Sequence, residues 1–254
     1  MLLAIDIGNT QSVVGIFDDD ELVEHWRVST HEGRTFDEWA LMIGNMLEMA
    51  GLSFSKQVTG VVISSGVPRV TQALKEMVEQ YFYFRPLVVG PGVRTGMPIL
   101  YDNPREVGAD RIADAVAAYS TYGGPAIVID LGTATVFDAI SEDGEYLGGA
   151  IAPGMQVSAS ALFNAAAGLR RVEFEAPKNA IGSSTAESLQ SGIVYGTIGL
   201  LEGMVNRFKD SLGDAVTIST GGLAEIIIPQ ADFIDYHEPW LTLKGLRLIY
   251  ETNG

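Results

Sequence analysis

The sequence predicts a two-lobed α/β protein built from two copies of one unit, with a cleft between the lobes. Three observations lead to this prediction. Apolar runs of strand length alternate with segments of helical periodicity, glycine turns follow the strands, and the pattern begins again halfway along the chain. With 254 residues, of which 47% are hydrophobic and 19% charged, the chain is long enough for two modest domains and too apolar to be disordered.

The first half is predicted to form three strands followed by alternating helices and strands. One apolar run ends at Gly8 and a second ends at the acidic residues 18–20, so the first three strands are expected to form a meander. The helical spacing of Phe36, Trp39 and Ile43 predicts the first helix. In order, the predicted elements are strands at 2–7, 12–17 and 22–28, a helix at 36–49, a strand at 60–64, a helix at 71–82 and a strand at 86–89.

The second half follows a loop rich in glycine and proline at 90–104. A helix is predicted at 107–119, and the sequence Gly-Gly-Pro at 123–125 ends it before a buried strand at 126–131. The later predicted elements are a helix from Met155, a helix at 186–212, a strand at 216–219, a helix after Gly222, a strand near Phe233 and a helix at 241–250.

An offset of 124 residues superimposes the start of the second half on the first. The matched pairs are Asp130 with Asp6, Gly132 with Gly8, Ile129 with Ile5, Ile140 with Ile16, Asp143 with Asp19 and Glu145 with Glu21. Because a strand, a glycine turn, a strand and an acidic turn recur in one order, we interpret the match as an internal duplication. The lobes are predicted to span 1–112 and 113–254, with the two Asp-x-Gly turns facing each other across the cleft, a common place for ligands.

Composition excludes several classes of function. Asp and Glu number 32 against 16 Lys and Arg, and the formal net charge of −16 opposes broad contact with nucleic acid or anionic lipid. The chain has no cysteine, which excludes disulfides, thiolate metal sites and cysteine nucleophiles. The N-terminal residues show no secretory leader, so a cytoplasmic location is expected. The uncharged stretch 146–169 contains Pro153, polar residues and glycines, and we predict a buried strand, loop and helix there rather than a membrane span.

Nucleotide binding cannot depend on the best-known glycine-rich loops, because the sequence contains neither the P-loop pattern nor Gly-x-Gly-x-x-Gly. The turn that begins at Asp6 offers another route. Gly8 lets the backbone approach a phosphate, and the Asn and Thr that follow add polar contacts. The Asp6 carboxylate can hold a hydrated cation that bridges phosphates. The alternative is a plain hairpin turn, which would use the same residues. The functional interpretation is favoured because the sequence contains a second copy of this turn.

The second copy is the turn at 130–135, with the sequence Asp-Leu-Gly-Thr-Ala-Thr. It offers a carboxylate and two hydroxyl groups, and Thr133 takes the place of Asn9. Further along, Thr-Gly-Gly at 220–222 lies between a strand and a helix, where bare backbone could pack against a base or ribose near a helix N-terminus. An ordinary strand-to-helix turn is the alternative for this last motif.

Four segments together resemble the type III pantothenate kinases. They are the Asp6 turn, Gly-Ala-Asp-Arg at 108–111, the turn at 130–135 and Leu-Thr-Leu-Lys-Gly-Leu at 241–246. The resemblance runs the whole length of the chain. It implies the fold of the acetate and sugar kinase, heat-shock chaperone and actin superfamily, which has two duplicated ribonuclease-H-like (actin-like) lobes.

The resemblance also implies an activity and its requirements. The expected reaction transfers the γ-phosphoryl group of ATP to pantothenate, giving 4′-phosphopantothenate at the first step of coenzyme A synthesis. The resemblance further implies a homodimer that needs Mg²⁺ with ATP and also a monovalent cation, K⁺ or NH₄⁺. ATP and pantothenate are therefore the expected partners, together with a second copy of the chain.

Roles follow from the resemblance residue by residue. ATP contacts are expected from Asp6, Ile7, Gly8, Asn9, Thr10, Gln11, Ser12 and Val13 in the first turn, and from Thr133 in the second. The monovalent cation is expected at Asp130. The pantothenate pocket is expected to include Tyr101, Gly108, Ala109, Asp110, Arg111 and Thr185.

Asp110 is the expected catalytic base. A carboxylate beside a primary hydroxyl can orient it and accept its proton during phosphoryl transfer. The alternative is a carboxylate that merely stabilises a helix start through the macrodipole. Arg111 could pair with the carboxylate of pantothenate or with the transferring phosphate, because a guanidinium binds either in bidentate fashion.

Two other functions compete with this one. A sugar kinase, acetate kinase or phosphohydrolase of the same superfamily would share the Asp turns but would not be expected to carry Gly-Ala-Asp-Arg at 108–111. A regulatory or filament-forming protein would bind ATP to change shape or partners, without turnover. The presence of both Asp110 and Asp130 favours catalysis.

Overall fold

The computed structural model describes residues 1–52, 57–166 and 168–254. Within them the chain forms ten strands and seven α-helices, which confirms the α/β class. The strands are β1 (Leu2–Ile7), β2 (Gln11–Asp18), β3 (Glu21–Ser29), β4 (Gly60–Ser65), β5 (Leu87–Val88), β6 (Ala126–Leu131), β7 (Ala134–Ile140), β8 (Tyr146–Pro153), β9 (Val216–Thr220) and β10 (Tyr236–His237). The helices are α1 (Phe36–Met49), α2 (Pro68–Tyr81), α3 (Ala109–Tyr122), α4 (Met155–Ala165), α5 (Thr185–Leu212), α6 (Ala224–Ile227) and α7 (Leu241–Asn253).

The first sheet has the strand order β3-β2-β1-β4-β5. Strands β1, β2 and β3 are antiparallel neighbours, as the predicted meander requires, and β4 runs parallel to β1. Alternate residues of β1 point to opposite faces. Leu3, Ile5 and Ile7 therefore share a core with α1 and α2. On the other face, Gly15 of β2 leaves space for Leu243 of α7.

The second sheet repeats the first. Its strand order, β8-β7-β6-β9-β10, has the same connectivity, with β6 antiparallel to β7 and parallel to β9. Ile127, Ile129 and Leu131 of β6 share a core with the long helix α5. The predicted duplication of one α/β unit is confirmed at the level of sheet topology.

The offset between the two copies changes at the Asp turns. The N–H of Gly8 donates to the carbonyl of Gln11 at 3.0 Å, three residues on, whereas that of Gly132 donates to Ala134 at 3.1 Å, two residues on. The second turn is therefore one residue shorter than the first. Beyond this turn, the number of residues that separates equivalent positions in the two copies is one lower than before it.

The predicted match of Ile140 with Ile16 is wrong for this reason. Ile140 occupies the place of Phe17, and both copies have a register irregularity there, at Ile16/Phe17 and at Ala139/Ile140. The original offset returns in the third strand of each meander, because Tyr146 faces Ile140 as Leu22 faces Phe17. A longer acidic turn in the second copy compensates for its shorter glycine turn.

Several element ends differ from the prediction. Helix α2 begins at Pro68, not at residue 71, because proline suits the first helical positions, where its missing N–H is not needed. The last strand is Tyr236–His237, beyond the position predicted near Phe233. Helix α6 is a single turn, and a 3₁₀ turn at Ile228–Gln230 with an early proline follows it directly.

The stretch 146–169 is described except for residue 167. It contains strand β8, a turn at Gly154 and helix α4, as predicted. Within the described part of the chain, none of the helices combines the length and the apolar character needed to cross a membrane.

The chain groups into two compact units, which we call unit 1 (residues 1–117 and 241–254) and unit 2 (residues 118–240). Helix α3 runs from one into the other. The predicted lobes, 1–112 and 113–254, place α7 with the second copy, whereas in the structure α7 contacts β1 and β4 of unit 1. The fit is close, because a Cβ on Gly245 of α7 would overlap the Ala113 backbone.

The end of α3 is fixed within unit 2 by Tyr122. Its hydroxyl donates to Glu238 Oε1 at 2.7 Å, and its ring stacks on Tyr236 with centroids 4.4 Å apart. Burial, reinforced by the hydrogen bond to Glu238, raises the pKa of Tyr122. The phenol therefore remains protonated at neutral pH and keeps donating.

Candidate functional site

The first Asp turn, residues 6–13, joins β1 to β2. A Cβ on Gly8 would lie 2.9 Å from the Gln11 carbonyl oxygen that accepts its N–H, so the close approach requires glycine. Asp6 is half-buried at the end of β1, and the three side chains that follow Gly8 are exposed. The turn thus presents bare backbone and polar side chains at the end of a rigid strand.

A second layer of hydrogen bonds holds this turn in place. Thr30 donates from Oγ1 to the Gly8 carbonyl at 2.8 Å and from its N–H to the Thr10 carbonyl at 3.0 Å. Thr30 Oγ1 also lies 2.7 Å from Ser12 Oγ, and because its only hydrogen points to Gly8, Ser12 is the donor. The side chains of Ile7 and Ser12 are buried. Among the predicted ATP residues, these two can offer a ligand only their backbone.

The other cluster in unit 1 lies at the start of α3. The Gly108 carbonyl accepts from the N–H of Ile112 at 3.1 Å, which opens the helix. Asp110 is exposed, and its Oδ1 accepts from the N–H of Arg111 at 2.9 Å. A Cβ on Gly108 would overlap that oxygen. The backbone of the helix start therefore positions the Asp110 carboxylate while leaving it accessible to a substrate.

The second Asp turn, residues 130–135, surrounds a carboxylate with glycine backbone. Asp130 is half-buried at the end of β6. A Cβ on Gly132 would lie 3.5 Å from both carboxylate oxygens, and one on Gly221 would lie 2.5 Å from Oδ1. Gly221 has φ 92° and follows β9, the parallel neighbour of β6. The glycines leave room beside the carboxylate, whose oxygens are of the type that hard cations prefer.

Sequence reasoning missed Gly154, which supports the second Asp turn. Its N–H donates to the Thr133 carbonyl at 3.1 Å, immediately before α4 begins. A Cβ there would overlap the carbonyl oxygens of Gly132 and Thr133. The available signal was the Pro-Gly pair ahead of a helical segment, which indicates a turn but does not reveal its distant partner.

Thr185 is the first residue of α5 and is exposed. The residue before it, Ser184, caps the helix by accepting from the N–H of Glu187 at 3.2 Å. Glu187 in turn accepts from both the hydroxyl and the N–H of Ser183, each at 2.7 Å. These hydrogen bonds, that from the Ser183 hydroxyl above all, lower the pKa of Glu187. The backbone that presents Thr185 is therefore well fixed.

The predicted site residues are divided between the units. Unit 1 contains the first Asp turn, the half-buried Tyr101 and residues 108–111; unit 2 contains Asp130, the exposed Thr133 and Thr185. Each unit thus carries part of the predicted ATP set and part of the predicted pantothenate set. In the described part of the chain, no group of three or more acidic or histidine side chains is arranged to hold a metal ion.

Comparison with known proteins gives a consistent family. The profile of the type III pantothenate kinases matches residues 2–207. The chain is 53% identical to a type III pantothenate kinase from Moorella thermoacetica over 254 residues, which cover 100% of both chains. It is 51% identical to another from Streptomyces griseus subsp. griseus, covering 100% of this chain and 98% of the relative.

Solved structures share the fold at low identity. A Baf family protein from Campylobacter jejuni has a TM-score of 0.63 at 20% identity, covering 99% of this chain and 98% of that one. An activator of 2-hydroxyisocaproyl-CoA dehydratase from Clostridium difficile, with bound ADPNP, has a TM-score of 0.54 at 13% identity, covering 99% and 96%. An inorganic polyphosphate/ATP-glucomannokinase from Arthrobacter sp. strain KM has a TM-score of 0.50 at 16% identity, covering 100% and 99%. These likenesses confirm the predicted fold.

Proposed function

The chain belongs to the type III pantothenate kinase family, and we infer that it transfers the γ-phosphoryl group of ATP to the 4′-hydroxyl of pantothenate, the first step of coenzyme A biosynthesis. The observation that carries this function is the 53% identity to a type III pantothenate kinase over the full length of both chains. We place the reaction in the cytoplasm, where ATP is available.

We propose that ATP contacts the first Asp turn through residues 6–13 and the second through Thr133. The close backbone approach at Gly8 and the exposed polar side chains after it support phosphate binding. The Asp6 carboxylate is suited to hold Mg²⁺ through water, as single carboxylates do in many nucleotide sites. Mg²⁺ neutralises charge on the phosphates when it is bound with ATP.

Pantothenate is proposed to contact Tyr101, Thr185 and residues 108–111. Its hydroxyl would lie beside Asp110, whose carboxylate orients the hydroxyl and accepts its proton as the bond to phosphorus forms. The proton then passes to solvent, since Asp110 is exposed. Arg111, half-buried on the next position of the helix, binds an anionic group, either the pantothenate carboxylate or the transferring phosphate.

The function is tested by ADP release in a coupled assay with ATP and Mg²⁺, with and without pantothenate. We expect rapid ADP release only when pantothenate is present, and no comparable stimulation by acetate or hexoses. If the folded protein binds ATP but pantothenate does not accelerate ADP release, the kinase function fails and the regulatory alternative is favoured. Stimulation by a sugar instead would favour another kinase of the superfamily.

We further propose that Asp130 binds K⁺ or NH₄⁺ and that activity depends on it. The Asp130 carboxylate lies half-buried at the end of an apolar strand, beside the backbone of Gly132 and Gly221, and a small cation bound there would add to the interactions that offset its lost hydration. The same assay is run in K⁺, NH₄⁺ or a bulky organic cation at constant ionic strength. Wild-type activity should require a small cation, and Asp130→Asn should lose the stimulation.

The control for this prediction is Asp143→Asn, which removes an equal charge from an exposed position between β7 and β8. It should respond to K⁺ like the wild type. Equal wild-type rates in K⁺ and in the organic cation would remove the proposed site.

We also propose that the chain forms a homodimer through β8, one of the two edge strands of the second sheet. Strand β8 has no charged residue, and Leu147 and Ile151 are 38% and 66% exposed. The equivalent edge strand β3 carries Glu21, Glu24 and Arg27, which discourage edge-to-edge pairing. In a chain with net charge −16, an uncharged strand lets a second copy approach without like-charge repulsion.

Replacing Ile151 by lysine is expected to convert the dimer into a monomer, because a lysine on an edge strand opposes pairing. The molar mass measured by light scattering during size-exclusion chromatography reports the change. The matched control is Val23→Lys on β3, where the side chain is 42% exposed. Dimers in both variants would place the interface elsewhere, and a monomeric wild type would contradict the homodimer itself.

A further inference from the structure

The first Asp turn contains a carboxylate and no basic residue, although the proposed ligand is strongly anionic. Arg27 and Arg34 are the only Lys or Arg residues among the first 55 of the sequence. Arg27 is exposed on β3, and its Nη1 donates to Gln11 Oε1 at 3.3 Å. Arg34 is half-buried in the loop between β3 and α1. A guanidinium contact from this part of the chain must come from one of these two.

The loop that carries Arg34 is attached to the first Asp turn. Ser29, the last residue of β3, faces Gln11. Thr30 follows, with its hydrogen bonds to Gly8 and Thr10. The N–H of Arg34 then donates to the His31 carbonyl at 3.1 Å and closes a tight turn. Arg34 is therefore held at the edge of the sheet that bears the Asp turn.

The Arg34 guanidinium stacks on an aromatic ring, and one of its nitrogens has no acceptor in the described part of the chain. Its guanidinium carbon lies 5.0 Å from the ring centroid of Trp39, a fully buried residue in the first turn of α1. Its Nη1 is buried and has no hydrogen-bond acceptor within residues 1–52, 57–166 and 168–254. A buried charged donor is costly without an acceptor, so a ligand that supplies one would explain the arrangement.

The neighbouring carboxylate of Glu38 serves a different purpose. Its Oε2 accepts from the N–H of Thr35 at 2.7 Å and from Thr35 Oγ1 at 3.1 Å, and these bonds form the capping box of α1. The hydrogen bonds from Thr35 lower the pKa of Glu38 most strongly, and the charge of Arg34 contributes least. Glu38 thus caps the helix and leaves Arg34 Nη1 to another acceptor.

We propose that Arg34 binds the phosphate groups of ATP at the first Asp turn, with Nη1 donating to an oxygen of the β- or γ-phosphate. The inference rests on the proposed function, because it takes ATP as the ligand of this turn. Guanidinium groups match phosphate geometry, and stacking on Trp39 orients the group before the nucleotide binds. Arg34 supplies the positive charge that residues 6–13 lack.

The test compares nucleotide affinities of wild type and Arg34→Gln by titration calorimetry, using ATP, ADP and AMP. A lost hydrogen bond to a charged group should weaken ATP binding by about 10- to 100-fold, and it should weaken ADP binding to the same extent if Nη1 contacts the β-phosphate but not if it contacts the γ-phosphate. AMP, which lacks the outer phosphates, should bind with nearly unchanged affinity. Arg34→Lys should fall between the two, because it keeps the charge without the planar fork. The control, Arg85→Gln, removes a side chain that is 91% exposed and should leave all three affinities unchanged.

An equal loss of affinity for ATP, ADP and AMP would show that Arg34 only stabilises the loop, and no loss for any of them would also overturn the proposal. The ratio of ATP to AMP affinity remains informative even if the variant is less stable. Because the titrations need no turnover, they are separate from the test of function. A wild type that binds ATP without phosphorylating pantothenate would overturn the kinase and leave the Arg34 contact to be decided by affinity.

Discussion

Replacing Asp110 by asparagine is expected to lower kcat by about 10²- to 10⁴-fold while ATP affinity and the melting temperature stay close to wild type. Asparagine keeps the size of the side chain and can accept from the N–H of Arg111 as Asp110 does. It cannot accept the proton of the pantothenate hydroxyl. The expected loss corresponds to roughly 3 to 5.5 kcal/mol of barrier, at ~1.4 kcal/mol per decade, and is measured by ADP release at saturating substrates.

The size of the loss distinguishes two roles for Asp110. Phosphoryl transfer can proceed with little proton movement at the transition state, in which case positioning dominates and the loss lies near the low end. A decrease of about tenfold or less in kcat would mean that Asp110 is not the base. A raised KM with unchanged kcat would mean that it mainly binds substrate. Asp20→Asn, an equal change of charge in the exposed turn between β2 and β3, is the control and should retain full activity.

Elements with strong local signals were predictable from the sequence. Helix α1 was predicted at 36–49 and occupies Phe36–Met49, because its apolar spacing is clear and the Thr35–Glu38 capping box fixes its start. Strands β1 and β6 were also predicted to the residue, since each is a short apolar run that ends in an Asp-x-Gly turn. The meander of the first three strands was also predicted, whereas the positions of the remaining strands in each sheet come from the structure.

Features that depend on distant contacts were not predictable in this way. The last helix has its own apolar periodicity, but nothing in it shows that it packs on β1 and β4 of unit 1. The supporting role of Gly154 depends on the Thr133 carbonyl, and the position of the Arg34 guanidinium depends on the ring of Trp39. Sequence spacing describes one element at a time, whereas these roles arise where two elements meet.

Gly221 is another residue of this kind, and Gly221→Ala is expected to reduce the free energy of unfolding by about 2–6 kcal/mol. One part of this loss is backbone strain, about 1–3 kcal/mol, because the φ of 92° disfavours any residue with a Cβ. The other part, also about 1–3 kcal/mol, is overpacking. The Cβ would lie 2.6 Å from the backbone C and N of Leu131 and 2.5 Å from Asp130 Oδ1. Backbone atoms at that distance cannot rotate away as the end of a flexible side chain can.

The contributions of backbone strain and overpacking are separated by a second variant, Gly123→Ala. The free energy of unfolding of both variants is measured by denaturant unfolding. Gly123 has a similar φ of 77°, but a Cβ there would meet nothing within 4 Å in the described structure. It should therefore show only the strain, about 1–3 kcal/mol, and keep its response to K⁺. Gly221→Ala should lose more stability and also part of the K⁺ stimulation, because the added methyl group displaces the Asp130 carboxylate. Equal losses of stability in the two variants would show that the second Asp turn can accommodate a Cβ at Gly221 without overpacking. If the K⁺ stimulation is also intact in both variants, cation binding at Asp130 does not require a glycine at position 221.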